Sequence, residues 1–192
     1  TNLGQSELGA SGVESRRDDQ IDASIAGTLE AFGRIDVLVN AAQYFAPVKA
    51  LELTSQKDWD LCHATGPLAT LRFMQGCFPH LQQRGGSIVN FTSGSALVGM
   101  KYTAPYSAAK GATTALSKVA ANEWARHGIR VNVLCPFALT EAQESMIGGP
   151  YDNYARTAAQ CPMGRGAGPR TDVASVIVFL ASDALRFGSG NL

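Results

Sequence analysis

The sequence contains no apolar run approaching the ~20 residues that a membrane-spanning helix needs. No charged segment leads into an apolar stretch, so no secretory signal is expected. Charge is sparse and balanced. Asp, Glu, Lys and Arg make up 17% of the 192 residues, with 16 acidic and 16 basic groups. That balance excludes the basic face of a nucleic-acid binder or of a protein that sits on an anionic membrane. The one cationic cluster, Arg16-Arg17, runs straight into Asp18-Asp19 and reads as a solvated helix start. Cysteine is scarce. Cys62, Cys77, Cys135 and Cys161 have neither CxxC spacing nor a pairing logic, which points to reduced thiols in a cytoplasmic protein. His63, His80 and His127 stand singly, so no metal site is expected. Internal repeats and low-complexity linkers are missing as well.

What is present is the composition of one globular domain over residues 1–192, 45% apolar. The first dozen residues are polar and glycine-rich and read as loop. From Asp18 to Phe32, Ile21, Ile25, Leu29 and Phe32 form one helical stripe, and Gly33 is placed to stop it. Ile35 to Asn40 is short, β-branched and apolar, the pattern of a strand buried on both faces. A long helical stretch runs from Asp58 to about Gln83, interrupted at Gly66-Pro67. Ser87 to Phe91 and Ile129 to Leu134 are two more buried strands, separated by an alanine-rich helix from Ala104 to Arg126. A last helix spans Asp172 to Ala181, with Val173, Val176, Ile177 and Leu180 on one face. Strand and helix alternate, which predicts an open α/β, Rossmann-like doubly wound parallel sheet. Ligands bind outside the carboxyl ends of such strands. The informative residues are therefore Ala41 to Tyr44, Thr92 to Gly94 and Pro136 to Ala138.

Tyr106 and Lys110 stand four residues apart on a predicted helix, so both side chains leave the same face one turn apart. A neighbouring ammonium stabilises phenolate and is expected to pull a tyrosine pKa down from ~10. A phenol tuned in that way can protonate a carbonyl or deprotonate an alcohol. By composition alone, a tyrosine four places before a lysine arises in roughly one such chain in eight, so the pair needs context. Ser93 supplies it. It lies thirteen residues before Tyr106 at the mouth of a buried strand, where a hydroxyl can donate to a developing alkoxide.

The run IVNFTSGSALVGMKYTAPYSAAKGA resembles the active-site segment of the short-chain dehydrogenase/reductases. DVLVNAA resembles that family's strand ending in Asn-Asn-Ala-Gly, GIRVNVLCP its strand ending in Pro-Gly, and GRGAGPRTDVASVIVFLASD its late helix. The likeness runs from about Asp18 to Leu192, with the parts in order. It implies an oxidoreductase moving hydride between NAD or NADP and a ketone/alcohol substrate. Ser93, Tyr106 and Lys110 would then be catalytic. Asn40, Ala41, Ala42, Tyr106, Lys110, Pro136, Phe137, Leu139 and Thr140 would border the cofactor. The resemblance also implies a homodimer or homotetramer built on the two long helices.

Several positions depart from the pattern. Asn40-Ala41-Ala42-Gln43 lacks the second asparagine and the glycine, and Phe137 replaces the glycine after Pro136. The family's helix asparagine falls on Gly66. The glycine-rich pyrophosphate turn is absent, and Gly4, Gly9 and Gly12 do not substitute, since no strand precedes them. The expectation is that the fold's first strands and last strand belong to sequence beyond this chain. A second reading follows from the same departures: a catalytically lapsed family member serving as a cofactor-binding or assembly scaffold. Thr65-Gly66-Pro67 predicts a kink, with a carbonyl freed toward Lys110 to hold a relay water. Glu141 to Met163 predicts a mobile lid over an apolar substrate, with Gln43 and Tyr44 as the opposite wall.

Overall fold

A computed structural model describes residues 17–138 and 154–191. Helix α1 (Asp18–Phe32) ends on Gly33, whose φ of 69° is the left-handed cap the sequence predicts. Its inner face is Ile21 and Ile25. Phe32, expected on the same stripe, is 65% exposed. It sits in the last turn of the helix. Strand β1 is Val37–Asn40, and a short 3₁₀ turn follows at Leu51–Leu53. Helix α2 (Gln56–His63) starts at Ser55, whose hydroxyl accepts from the Asp58 amide. It continues through a π turn (Ala64–Leu68) into α3 (Ala69–Leu81). After β2 (Gly86–Phe91) come the short α4 (Gly94–Val98) and the long α5 (Ala104–Trp124), then β3 (Ile129–Leu134). Helix α6 (Tyr154–Gln160), a second π turn (Pro169–Val173) and α7 (Ala174–Ala181) follow, with short 3₁₀ turns at Ala125–His127 and Asp183–Leu185.

The three strands form one parallel sheet in the order β1-β2-β3, with Asn40 beside Asn90 and Asn90 beside Val133. Segment 188–191 runs along the far side of β3. The Gly190 N–H donates to the Val131 carbonyl, and the Val133 N–H to Asn191. The core lies between the sheet and helices α1, α3 and α5. Met74, Leu81, Ile88, Ile129 and Val131 are its fully buried members. Helices α1 and α3 come close because Gly76 has no side chain, and a Cβ there would meet Ile25 Cδ1 at 2.5 Å.

Three elements differ from their expectations. β1 is not buried on both faces, since Val37 and Val39 are exposed. It is the edge strand, and no described element covers that face. The last helix begins at Ala174 rather than Asp172, after its π turn, and Leu180 is its buried residue while Val176, Val178 and Phe179 are exposed. The interruption in the long helix is a π turn with α-helix on both sides. Pro67 has no N–H to give to the residue four back, so the ladder slips by one, and the Ala69 N–H reaches Ala64.

Candidate active site

The loop after β2 and the first turns of α5 meet at the carboxyl edge of the sheet. Ser93 caps α4: its Oγ accepts from the Ser95 amide at 3.2 Å and lies 3.0 Å from Ser95 Oγ. Pro105 occupies the first turn of α5, where a missing N–H costs nothing. Tyr106 and Lys110 follow on the face turned toward the sheet, and Lys110 is 6% exposed. The Lys110 backbone is held by hydroxyls from two elements, Thr92 at 3.3 Å and Thr114 at 2.9 Å from its carbonyl. Ser93, Tyr106 and Lys110, selected in sequence by spacing, thus stand together in space.

Their electrostatics differ from the expectation. Burial, not the ammonium, dominates Tyr106 and pushes its phenol above the usual value. The nearby Ser93 hydroxyl opposes that rise. The Lys110 ammonium donates to the Phe91 carbonyl at 3.0 Å and lies 5.6 Å from the centre of the Tyr106 ring, over its face. Burial lowers Lys110 from 10.5 to about 8. The spacing predicted a shared face correctly; it carried no information on where the ammonium aims. Cys135, after β3, is close enough to act electrostatically on both groups, and its own thiol is raised by burial.

The segment after β1 forms the opposite wall. Phe45 packs edge-on against Tyr106, with ring centres 4.7 Å apart, and Tyr44 and Tyr106 share a cluster with Ala46, Cys62 and Ala109. Tyr44 was expected there; Phe45, Cys62 and the Phe91 carbonyl were not. An aromatic run directly after a strand end was the signal for Phe45. The Tyr44 N–H donates to Thr65 Oγ1 at 2.9 Å, and the Thr65 hydroxyl in turn donates to Leu61. This ties the wall to the π turn. The break expected in the helix at Gly66 is present as this π turn. The Gly66 carbonyl is not free, because the Ala69 N–H also reaches it, and the Lys110 ammonium's hydrogen bond goes to Phe91.

Of the expected cofactor-bordering residues, Asn40, Ala41 and Ala42 line a cleft with Thr65, Ala69, Thr70 and Phe73. Asn40 turns its side-chain amide inward, donating to Asn90 Oδ1 at 2.8 Å. Pro136 and Phe137 follow β3, and the Phe137 carbonyl accepts from Ala167 at 2.7 Å. Leu139 and Thr140 lie outside the described residues, as does most of the expected lid. A second cleft, beside Leu29, Gly33 and Asp36, opens at the amino end of β1, away from the tyrosine.

A nicotinamide dinucleotide fits the donor set. Lys110 carries three N–H donors and spends one on Phe91, which leaves donors for sugar hydroxyls. Ala41 and Ala42 are exposed and small, so a flat ligand can approach their backbone.

Known proteins resemble this chain over most of its length. The enoyl-(acyl carrier protein) reductase family model matches residues 4–192. A 12alpha-hydroxysteroid dehydrogenase of Clostridium sp. is 36% identical over 90% of this chain and 67% of its own length. The L-fucose dehydrogenase of Oryctolagus cuniculus is 32% identical over 88% of this chain and 60% of its own. The chain thus spans about two thirds or less of these relatives. The solved structure of ElxO with NADP bound superposes with a TM-score of 0.85 at 30% identity, over 94% of this chain and 73% of that one.

Proposed function

This chain belongs to the short-chain dehydrogenase/reductase family, and on that premise we propose that it is an oxidoreductase acting on a carbonyl/alcohol pair with NAD or NADP. The observation that carries the reading is the convergence of Ser93, Tyr106 and Lys110 at the carboxyl edge of the sheet. The dinucleotide, when bound, supplies or accepts the hydride. Lys110, the backbone of Asn40, Ala41 and Ala42, and the segment from Pro136 through Thr140 would hold it.

In the reductive direction the Tyr106 hydroxyl gives its proton to the substrate oxygen. A pKa above the ordinary value keeps that proton in place at neutral pH, as a general acid requires. Ser93 lies near the phenol and is placed to donate to the charge growing on the substrate oxygen. Lys110 sits over the ring, where its positive charge favours the phenolate left behind. Its lowered pKa lets it release a proton to refill the tyrosine. Phe45 and Tyr44 exclude water from one side.

The finer features belong to the same proposal. Val119 on α5 is half-exposed, which supports a homodimer or homotetramer joined through the long helices. All four cysteines are free, which suits the reducing cytoplasm. Among the described residues no helix is long and apolar enough to cross a membrane.

The test uses full-length protein with each nicotinamide cofactor and two probes drawn from the relatives' names, a 12alpha-hydroxysteroid and L-fucose. Cofactor-dependent turnover of either, lost in Tyr106→Phe, is the expected result. Turnover of neither, together with cofactor binding unaltered by Lys110→Ala, would leave the scaffold reading in its place.

A further inference from the structure

Gln43 and Gly66 face each other where the loop after β1 meets the π turn. A Cβ placed on Gly66 would lie 2.8 Å from Gln43 Cδ, 2.9 Å from Nε2 and 3.0 Å from Oε1. All three amide atoms are nearly equidistant, so the carboxamide occupies the space that a side chain at position 66 would fill. Among the described residues, Gln43 Nε2 is buried and has no hydrogen-bond partner. As mere filling this is a poor choice. A methionine of the same length would occupy the space without burying an unmet donor. The two residues that follow carry the wall of the tyrosine site: Tyr44 is tied to Thr65 in the π turn, and Phe45 rests on Tyr106. The unmet donor is therefore held against Gly66 in the π turn, two residues before the ring that rests on Tyr106.

We infer that Gln43 is a positioning residue of the Tyr106–Lys110 site. Its Nε2 donates to an oxygen held beside the Tyr44–Phe45 wall, and position 66 is glycine so that the carboxamide can seat there. This rests on the reading of Tyr106 given above. The oxygen belongs to a site water or to a substrate hydroxyl; the amide recognises both through the same N–H donation, and kinetics separate them. The two departures at positions 43 and 66 thus become one coupled change: the amide enters from the loop, and the helix gives up its side chain to admit it.

The experiment combines a stability cycle with steady-state kinetics on the full-length protein. In the cycle, Gly66→Ala lowers Tm by about 2–4 °C or more in the wild-type background. It costs much less in Gln43→Ala, because the obstructing amide is gone. In the kinetics, Gln43→Met keeps or raises Tm while kcat falls about tenfold to a hundredfold, the scale of a misplaced reacting group. An equal fall in kcat on the steroid and L-fucose probes assigns the oxygen to water. A KM rise confined to L-fucose assigns it to a substrate hydroxyl. Equal Gly66→Ala costs in both backgrounds overturn the seating. Wild-type kcat and KM in Gln43→Met, or Tm and kcat falling together, overturn the positioning role. Full turnover in Tyr106→Phe, or none in the wild type on either probe, counts against the dehydrogenase reading itself, and the Tm cycle still decides the seating.

Discussion

After β2, the chain is held by hydrogen bonds: Thr92 to the Lys110 carbonyl, Ser93 to the Ser95 amide, and Lys110 back to Phe91. After β1, at the same edge of the sheet, it is held mostly by shape. Ala41 and Ala42 are small and exposed, Phe45 packs on Tyr106, Tyr44 joins the same cluster, one hydroxyl ties the loop to the π turn, and among the described residues the Gln43 Nε2 has no partner. The first loop keeps the family's residue types and the second departs from them. Satisfied hydrogen bonds tolerate little substitution, since removing one partner strands the other. A packed wall accepts exchange as long as volume is conserved.

The largest effect is expected where that contrast is sharpest. Tyr106→Phe removes one hydroxyl from the bonded side and should lower kcat/KM by about 10²–10⁴-fold with Tm unchanged within error. Near-wild-type turnover would erase the distinction between the two loops. Ser93→Ala should cost on the order of 10²-fold in kcat. It should also cost about 1 kcal/mol of stability, because α4 loses its cap. Thermal melts beside initial rates check both parts.

Lys110→Met sharpens the comparison from the side of stability. The shift from 10.5 to about 8 means that burying the ammonium costs at most about 3 kcal/mol. A base with a lowered folded pKa is a full penalty below pH 8. The penalty fades as pH rises from about 8 to 10.5 and is gone above it, because the unfolded state then binds no extra proton. The variant should therefore lose activity yet melt higher than wild type below pH 8, with the gap closing above pH 10. A uniform gap at all pH values would contradict the buried-charge account.

Asn90→Ala strands the Asn40 amide and removes the donor to Ser117 Oγ, which keeps its own bond to Thr113. It should cost about 1–3 kcal/mol and lower Tm by several degrees. On the shape-held side of the molecule, Gly76→Ala presses a methyl against Ile25 Cδ1. That atom ends a flexible side chain, so about 1 kcal/mol is expected, at the low end for overpacking.

What could be read from the sequence follows the same division. Helix α1, β2 and β3 followed from local periodicity and strand ends, and the closeness of Ser93, Tyr106 and Lys110 from their spacing. Those signals live in the chain's own geometry. The open face of β1 did not follow, because an apolar strand records only that its side chains favour burial. The rise in the Tyr106 pKa did not follow either: residue spacing carries charge proximity, but desolvation depends on elements that pack from elsewhere. The fit of Gln43 into Gly66 was hidden for the same reason. Each position looked like an isolated loss, and only tertiary contact shows them to be complementary.

One further feature bears on how the chain finds this sheet at all. Each central strand carries one fully buried carboxamide, Asn90 in β2 and Asn132 in β3. Asn90 reaches sideways to Asn40 and inward to Ser117; Asn132 reaches Gly188 and Asn191. Slipping either strand by one residue would turn its amide to the opposite face and leave several polar groups unmet at once. Apolar neighbours such as Ile88, Val89 and Val131 would tolerate that slip far better, being interchangeable in shape. The asparagines therefore act as a key for strand alignment during folding: beyond what they add to the native state, they raise the energy of its misaligned competitors.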